Sequence, residues 1–150
     1  GILLGQLNRL DRNMKLHGLD ISEEMIAKAK GKLGSKAALI VGSGNKLPYR
    51  SNSFDYVTCC TSLHHHPSTK NSLAEFYRVV KPGGKVLVLD LFVDGFLRQL
   101  IYTWDNIVFR EKDTFVYTKK QMHNLFRSTG FRNMHQQPFL YSKLITVGEK

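Results

Sequence analysis

Gly42 to Asp90 reads GSGNKLPYRSNSFDYVTCCTSLHHHPSTKNSLAEFYRVVKPGGKVLVLD, and the order of elements in it decides the fold. Phe54 to Cys60 is rich in β-branched and aromatic residues and follows the polar turn Arg50-Ser51-Asn52-Ser53, which predicts a strand. After the loop at Leu63–Pro67, apolar residues recur at Leu73, Phe76, Tyr77 and Val80. That spacing is one face of a helix, with Ser68 or Thr69 placed to cap its start. Lys81-Pro82-Gly83-Gly84 is expected to stop the helix in a tight turn, because proline cannot continue it and glycine accepts left-handed dihedrals. Lys85 to Leu89 then reads as a buried strand ending at Asp90. A strand, a crossover helix and a second strand imply two parallel neighbours in one sheet.

Working outward, Ile2, Leu3, Leu4, Leu7 and Leu10 give Gly1 to Leu10 the broad apolar face of a helix. Met14 to Leu19 predicts a short strand with Asp20 at its end. Ser22 is placed to cap a helix whose first turn holds Glu23 and Glu24, where carboxylates suit the positive end of the helix dipole. Ala37 to Val41 predicts the next strand. Beyond Asp90, the helical period of Phe96, Leu97, Leu100, Ile101, Trp104, Ile107 and Val108 predicts one or two helices over Asp94 to Arg110. Thr118-Lys119-Lys120-Gln121 is a capping-box pattern for a helix buried through Met122, Leu125 and Phe126 and closed by Gly130. Phe131 to Gln137 and Leu140 to Val147 predict two final strands about a break at Pro138-Phe139. Helices and strands alternating in this way give a doubly wound α/β domain.

The motifs G-S-G-x-x-L-P-Y, S-F-D-x-V, L-H-H and R-V-V-K-P-G-G, followed by a strand ending in Asp, resemble a class I S-adenosylmethionine-dependent methyltransferase. The resemblance is to the broad group that includes the ubiquinone and menaquinone biosynthesis C-methyltransferases. It covers nearly all of the chain, more weakly after Asp90. It implies a mostly parallel, doubly wound sheet with a C-terminal antiparallel hairpin, and S-adenosylmethionine as cofactor. It also implies that residues 1–150 form one methyltransferase domain. Gly1 resembles the last glycine of the family's glycine-rich loop, so the family's first strand is expected to precede the chain, leaving the domain N-terminally incomplete.

At 150 residues the chain is long enough to bury a core without disulfide or metal support. No apolar run approaches the roughly 18–20 residues that cross a membrane. Cys59 and Cys60 are adjacent on a predicted strand and so point to opposite faces, which argues against a disulfide framework or a zinc knuckle and makes a reduced, cytoplasmic setting the default. The formal net charge of +10 admits two readings. Lysine and arginine spread over solvated faces is one, and a nucleic-acid partner met through its phosphates is the other.

The resemblance also assigns site residues. Asp20, at a strand's carboxyl end where open α/β sheets bind ligands, would accept from the ribose diol, although an Asp beside Ser22 also suits helix initiation. Ile21 would lie against the adenine face or else in the core. Gly42-Ser43-Gly44-Asn45 matches the family's adenine-edge segment, usually G-D-A, with Ser43 standing where the acid belongs. The backbone N–H at Gly44 is expected to survive as a contact, whereas Ser43 offers a hydroxyl without charge assistance. Backbone carbonyls at Cys60 and Thr61 would face the methionine part of the cofactor. In His64-His65-His66, consecutive imidazoles converge poorly on one ion, so no metal is expected. The family's Leu-His-His motif falls on Leu63, His64 and His65, near the site of methyl transfer. A histidine there suits general-base work, but no catalytic residue is assigned from the motif.

Three functions compete on these grounds. The first is methyl transfer to a small-molecule acceptor by in-line displacement, the acceptor pocket being built from Leu91 to Tyr117 with its seven aromatic residues Phe92, Phe96, Tyr102, Trp104, Phe109, Phe115 and Tyr117. The second is RNA methylation, which the positive charge permits. The third is a non-catalytic interaction module on the same fold. The acceptor and the oligomeric state are not legible in the residues.

Overall fold

The computed structural model describes residues 1–95, 100, 116–139 and 142–150. The chain divides into two compact units, Gly1–Pro48 and Tyr49–Lys150. The helices expected over 94–110 and the start of the last strand at Leu140 lie largely outside the described residues, as do Phe96, Tyr102, Trp104, Phe109 and Phe115.

In the first unit, α1 (Ile2–Leu10) leads to β1 (Leu16–Asp20), α2 (Glu23–Leu33) and β2 (Ala37–Val41). β1 and β2 pair in parallel from Leu16 opposite Ala37 to Asp20 opposite Val41. β1 therefore starts and ends later than the run Met14 to Leu19 suggests, and Asp20 is its last paired residue. Ser22 caps α2 by accepting from the Met25 N–H at 3.2 Å, as its sequence position predicts. α2 buries Ile26, Ala29 and Leu33. α1 buries none of its residues, and Ile2 and Leu10 remain exposed, so its apolar face is only partly used within this unit. Close packing at Gly18 explains the residue: a Cβ there would stand 2.7 Å from Leu39 and 2.8 Å from Leu4 side-chain carbons.

In the second unit, β3 (Phe54–Cys60), α3 (Thr69–Val79) and β4 (Val80–Leu91) form the expected parallel strand–helix–strand unit. α4 (Lys119–Thr129), β5 (Arg132–Phe139) and β6 (Lys143–Glu149) follow, and the sheet order is β3-β4-β6-β5. β4 pairs antiparallel with β6, and β6 with β5, giving the C-terminal antiparallel hairpin. Ser68, not Thr69, caps α3, accepting from the Asn71 N–H at 3.2 Å. Thr118 and Gln121 complete both halves of the capping box of α4, and Gly130 ends that helix with φ of 110°.

Two boundaries differ from the sequence reading. The Lys81–Gly84 segment does not separate helix from strand. β4 begins at Val80, opposite Phe54, and the register slips before Lys85 pairs with Tyr56. The irregularity absorbs Pro82 and the left-handed Gly83, while Gly84 lies so close to Asp55 that a Cβ would meet its carbonyl oxygen at 2.7 Å. Nor does Pro138 break the last strands, because β5 is the sheet edge, where a residue without an N–H is tolerated, and Pro138 pairs in register with Leu144. The core of this unit collects Leu63, Leu73, Phe76, Val79, Val86, Val88, Met122, Phe126, Phe131 and Leu144. Phe131 stacks on Phe126 at 4.9 Å and meets Tyr77 edge-on at 5.1 Å.

Candidate active site

Parallel pairing in the first unit places the candidate cofactor residues side by side. The Gly42 N–H donates to the Asp20 carbonyl at 2.9 Å, so the turn after β2 starts beside the carboxyl end of β1. Asp20 Oδ1 accepts from the Ser22 N–H at 3.0 Å, which is the helix-initiating role. Oδ2 has no hydrogen-bond partner among the described residues, so the carboxylate keeps one acceptor oxygen for a ligand. Ile21, next in the chain, is 76% exposed, which rules out its reading as a core residue. Ser43 accepts with its hydroxyl from the Asn45 N–H at 3.3 Å and with its carbonyl from the Lys46 N–H at 3.1 Å. One lone pair of its hydroxyl oxygen is thus engaged in shaping the turn, leaving the second lone pair and the hydroxyl proton. Gly1 caps α1 against Ala29 and Leu33 of α2, where a Cβ would come within 3.2 Å of Ala29.

Cys60 belongs to the second unit, at the carboxyl end of β3. As alternation requires, Cys59 is buried and Cys60 exposed. Burial, reinforced by the Asp90 carboxylate, pushes the Cys59 thiol up to about 12. The same two causes raise Cys60, with Lys143 pulling the other way. Thr61 follows with φ of 51°, a conformation that β-branched residues rarely adopt. Its N–H donates to the Leu89 carbonyl at 2.7 Å, and its hydroxyl accepts from Lys143 Nζ at 3.3 Å.

A single 3-10 turn, Leu63–His65, then carries the first two histidines. His64 is buried, and its Nδ1 is bound to Asp90 Oδ1. Its backbone N–H donates to Asp90 Oδ2 at 3.2 Å, and the Leu91 N–H donates to Oδ1 at 2.7 Å. Asp90, itself only 3% exposed, therefore holds the turn and the imidazole together. His65 is exposed and lies with its ring 4.0 Å from that of His64. His66 has both ring nitrogens occupied, Nδ1 by Ser72 at 2.7 Å and Nε2 by Ser62 at 3.2 Å, and burial lowers its pKa. Beyond β4, Phe92 is buried and bridges to Tyr117, whose hydroxyl donates to Thr69 at 3.1 Å.

The sequence reading missed the partnership of Asp90 with His64 and the strained Thr61. Asp90 was legible as a strand end, and His64 as part of a motif, but 26 residues separate them. Also unanticipated is a cavity of about 950 Å³ in the first unit, lined by Arg9, Arg12, Lys15, Leu16, Lys36 and Ala37 among others. It lies at the amino ends of β1 and β2, about 13 Å of strand from Asp20, so it is not the candidate cofactor site. Some of the chain's positive charge gathers there. Among the described residues, no three His, Cys, Asp or Glu side chains group as a metal site would require. No described helix is long and apolar enough to cross a membrane.

Residues 1–88 match the family described as a methyltransferase domain. The chain belongs to that family. Its architecture is that of the class I S-adenosylmethionine-dependent methyltransferases. The chain is 45% identical over 80 residues to a demethylmenaquinone methyltransferase of Bacillus mycoides (strain KBAB4), covering 51% of this chain and 34% of that protein. A demethylmenaquinone methyltransferase of Anoxybacillus flavithermus (strain DSM 21510 / WK1) is 28% identical over 151 residues, covering 85% of this chain and 63% of the relative. The chain thus spans less than two thirds of either relative's length. In fold it is similar to a chain of the Haloferax volcanii complex between the Trm112 methyltransferase activator and a methyltransferase, with a TM-score of 0.80 at 19% identity over 97% of this chain and 78% of the other.

Proposed function

We propose that residues 1–150 act as a methyltransferase domain that transfers a methyl group from S-adenosylmethionine to a small-molecule acceptor by in-line displacement. The observation that carries this reading is the Asp20 carboxylate, with one oxygen committed to the Ser22 N–H and the other left over at a strand's carboxyl end. Its fit to a ribose diol is chemical: a carboxylate oxygen accepts charge-assisted hydrogen bonds from hydroxyls. Exposed Ile21 offers an apolar surface to a purine ring. The Gly44 N–H supplies a backbone donor for the adenine edge, and Asn45 a polar side chain. Ser43 substitutes an uncharged hydroxyl for the family's acidic acceptor. Gly1, at the start of α1, is the remaining assigned contact in this unit.

When bound, S-adenosylmethionine supplies a sulfonium methyl that is already a strong electrophile. The chain's own contribution is to align the acceptor and exclude water. Phe92 and Tyr117, beyond the carboxyl end of β4, suit a planar acceptor. The name shared by the two bacterial relatives specifies a demethylated quinone compound as theirs, which supports a small ring acceptor here.

Calorimetric titration with S-adenosylmethionine and S-adenosylhomocysteine tests the reading first. Saturable binding of both is expected. The absence of heat at millimolar ligand, in a chain shown to be folded, would reject it in favour of a non-catalytic module.

A further inference from the structure

The three consecutive histidines have three different fates, and only one is built for proton transfer. His66 is locked by two serines, and burial lowers its pKa. His65 is exposed. His64 is buried, and the carboxylate of Asp90 holds its Nδ1 and its backbone N–H at once. A clamp on the turn would need only the backbone contacts. Placing the imidazole on the carboxylate adds something else: it favours the tautomer protonated on Nδ1 and leaves the Nε2 lone pair directed away from Asp90. The pair spans the carboxyl ends of the adjacent parallel strands β3 and β4, the edge at which open α/β sheets bind ligands. The entry to the turn is Thr61, in a left-handed conformation of the kind that collects at functional sites.

We propose that His64 takes a proton from the methyl acceptor and that Asp90 is its positioning residue. The acceptor is then a weakly acidic hydroxyarene or enol that must lose a proton to become nucleophilic. This rests on the methyltransferase reading above. The balance is complete: the acceptor O–H proton goes to His64 Nε2, and the acceptor's electron pair forms the new bond to the methyl carbon. The carbon–sulfur bond breaks with its electrons remaining on sulfur, which becomes a neutral thioether. For methylation at carbon, the ring C–H proton leaves afterwards and restores the aromatic system, and the oxygen regains the proton held on His64. Net, one proton is released per methyl transferred.

The other groups facing this corner are poorer bases. Both thiols have raised pKa values, partly through Asp90 itself. Lys143 donates to Thr61, and the Tyr117 hydroxyl donates to Thr69. Among the described residues, exposed His65 beside His64 is the competitor, and its variant belongs in the test.

The experiment compares His64→Gln, His64→Gly, His65→Gln and Asp90→Asn with the parent on two acceptors. One is 1,4-naphthohydroquinone. The other is a nitro-substituted hydroxyarene, already ionised at the assay pH. S-adenosylhomocysteine affinity and the nitrogen-15 signals of the histidine rings are measured alongside. His64→Gln is expected to lower kcat on the hydroquinone about 10²–10⁴-fold. On the ionised acceptor the loss should shrink to about tenfold or less, with S-adenosylhomocysteine affinity held within about twofold. Added imidazole should restore part of the activity of His64→Gly. The ring signals should show the Nδ1-protonated tautomer at His64 and its loss in Asp90→Asn. Equal losses on both acceptors, a His64 ring protonated on Nε2, or the same selective loss in His65→Gln would each overturn the proposal. If the parent binds cofactor yet methylates neither acceptor, the base assignment falls while cofactor binding stands. If it binds no cofactor, the underlying reading falls first.

Discussion

Replacing Asp20 separates its two roles. One carboxylate oxygen ties down the Ser22 N–H at 3.0 Å in a half-buried setting, and the other is assigned to the ribose. Asp20→Ala removes both. Loss of the backbone contact costs about 0.5–1.5 kcal/mol of stability, the net worth of one ordinary hydrogen bond. Loss of the charge-assisted contact to the ligand costs about 1–3 kcal/mol of binding. The second figure corresponds to about 5- to 150-fold in Kd. Asp20→Asn retains a side-chain oxygen for the Ser22 N–H, so it should keep parental stability while still losing the charged acceptor. Urea unfolding followed by calorimetric titration with S-adenosylhomocysteine reads the two effects independently. The reasoning requires the two variants to split, with both binding weakly and only Ala losing stability. Parental affinity in both would remove Asp20 from the ribose, whatever happened to stability.

Further outcomes follow from individual contacts. Ser43→Asp restores the acid that the family's loop usually carries and should leave S-adenosylhomocysteine affinity unchanged or tighter; a tenfold loss in the same titration would show that the turn takes another role. Thr61→Gly relieves a left-handed β-branched residue worth about 1–3 kcal/mol of strain, offset by the flexibility that glycine adds to the unfolded chain, so urea unfolding should show a net gain of up to about 1 kcal/mol. Lys150→Met removes the ammonium that donates to the carbonyls of Tyr77 at 2.7 Å and Val80 at 3.0 Å, at the C-terminal end of α3. A loss of about 1–3 kcal/mol is expected in the same assay, since hydrogen bonds from a charged donor are the strong ones. In native protein one thiol, Cys60, should react with a disulfide reagent at neutral pH, and Cys59, buried and pushed up to about 12, only after denaturation.

Much of the fold was legible because it rests on local signals. Leu73 and Phe76 are buried on the face of α3 that their spacing picks out, and the caps at Ser22, Ser68 and Thr118 are each made by the side chain whose position announced it. What escaped depends on which strands become neighbours. Whether Lys81–Gly84 reads as a turn or a strand irregularity is decided by Asp55 packing against Gly84, a contact with the neighbouring strand. Lys150 reaches α3 across more than 70 residues of sequence. Asp20 with the 42–45 turn was legible, because a strand's carboxyl end and the loop after its parallel neighbour are adjacent by topology. Asp90 with His64 follows the same logic, but only the side chains show that they bond.

The histidine run shows why spacing misleads when the backbone is unknown. On a strand, His64 and His66 would share a face, and on an α-helix three consecutive side chains would fan across most of the circumference. In a 3-10 turn, with three residues per turn, successive side chains diverge by about 120°. One direction leads into the sheet edge, where Asp90 waits; the next leads to solvent. His66, at the end of the turn, swings back over the start of α3 and meets Ser72. Three identical residues thus become a polar pair in the interior, an open surface group and a helix-docking contact. Only His64 and His65 stay ring to ring, at 4.0 Å, while His66 spends both ring nitrogens on serines. Histidine identity alone carries none of this, and the turn geometry together with one carboxylate decides which imidazole is buried against Asp90.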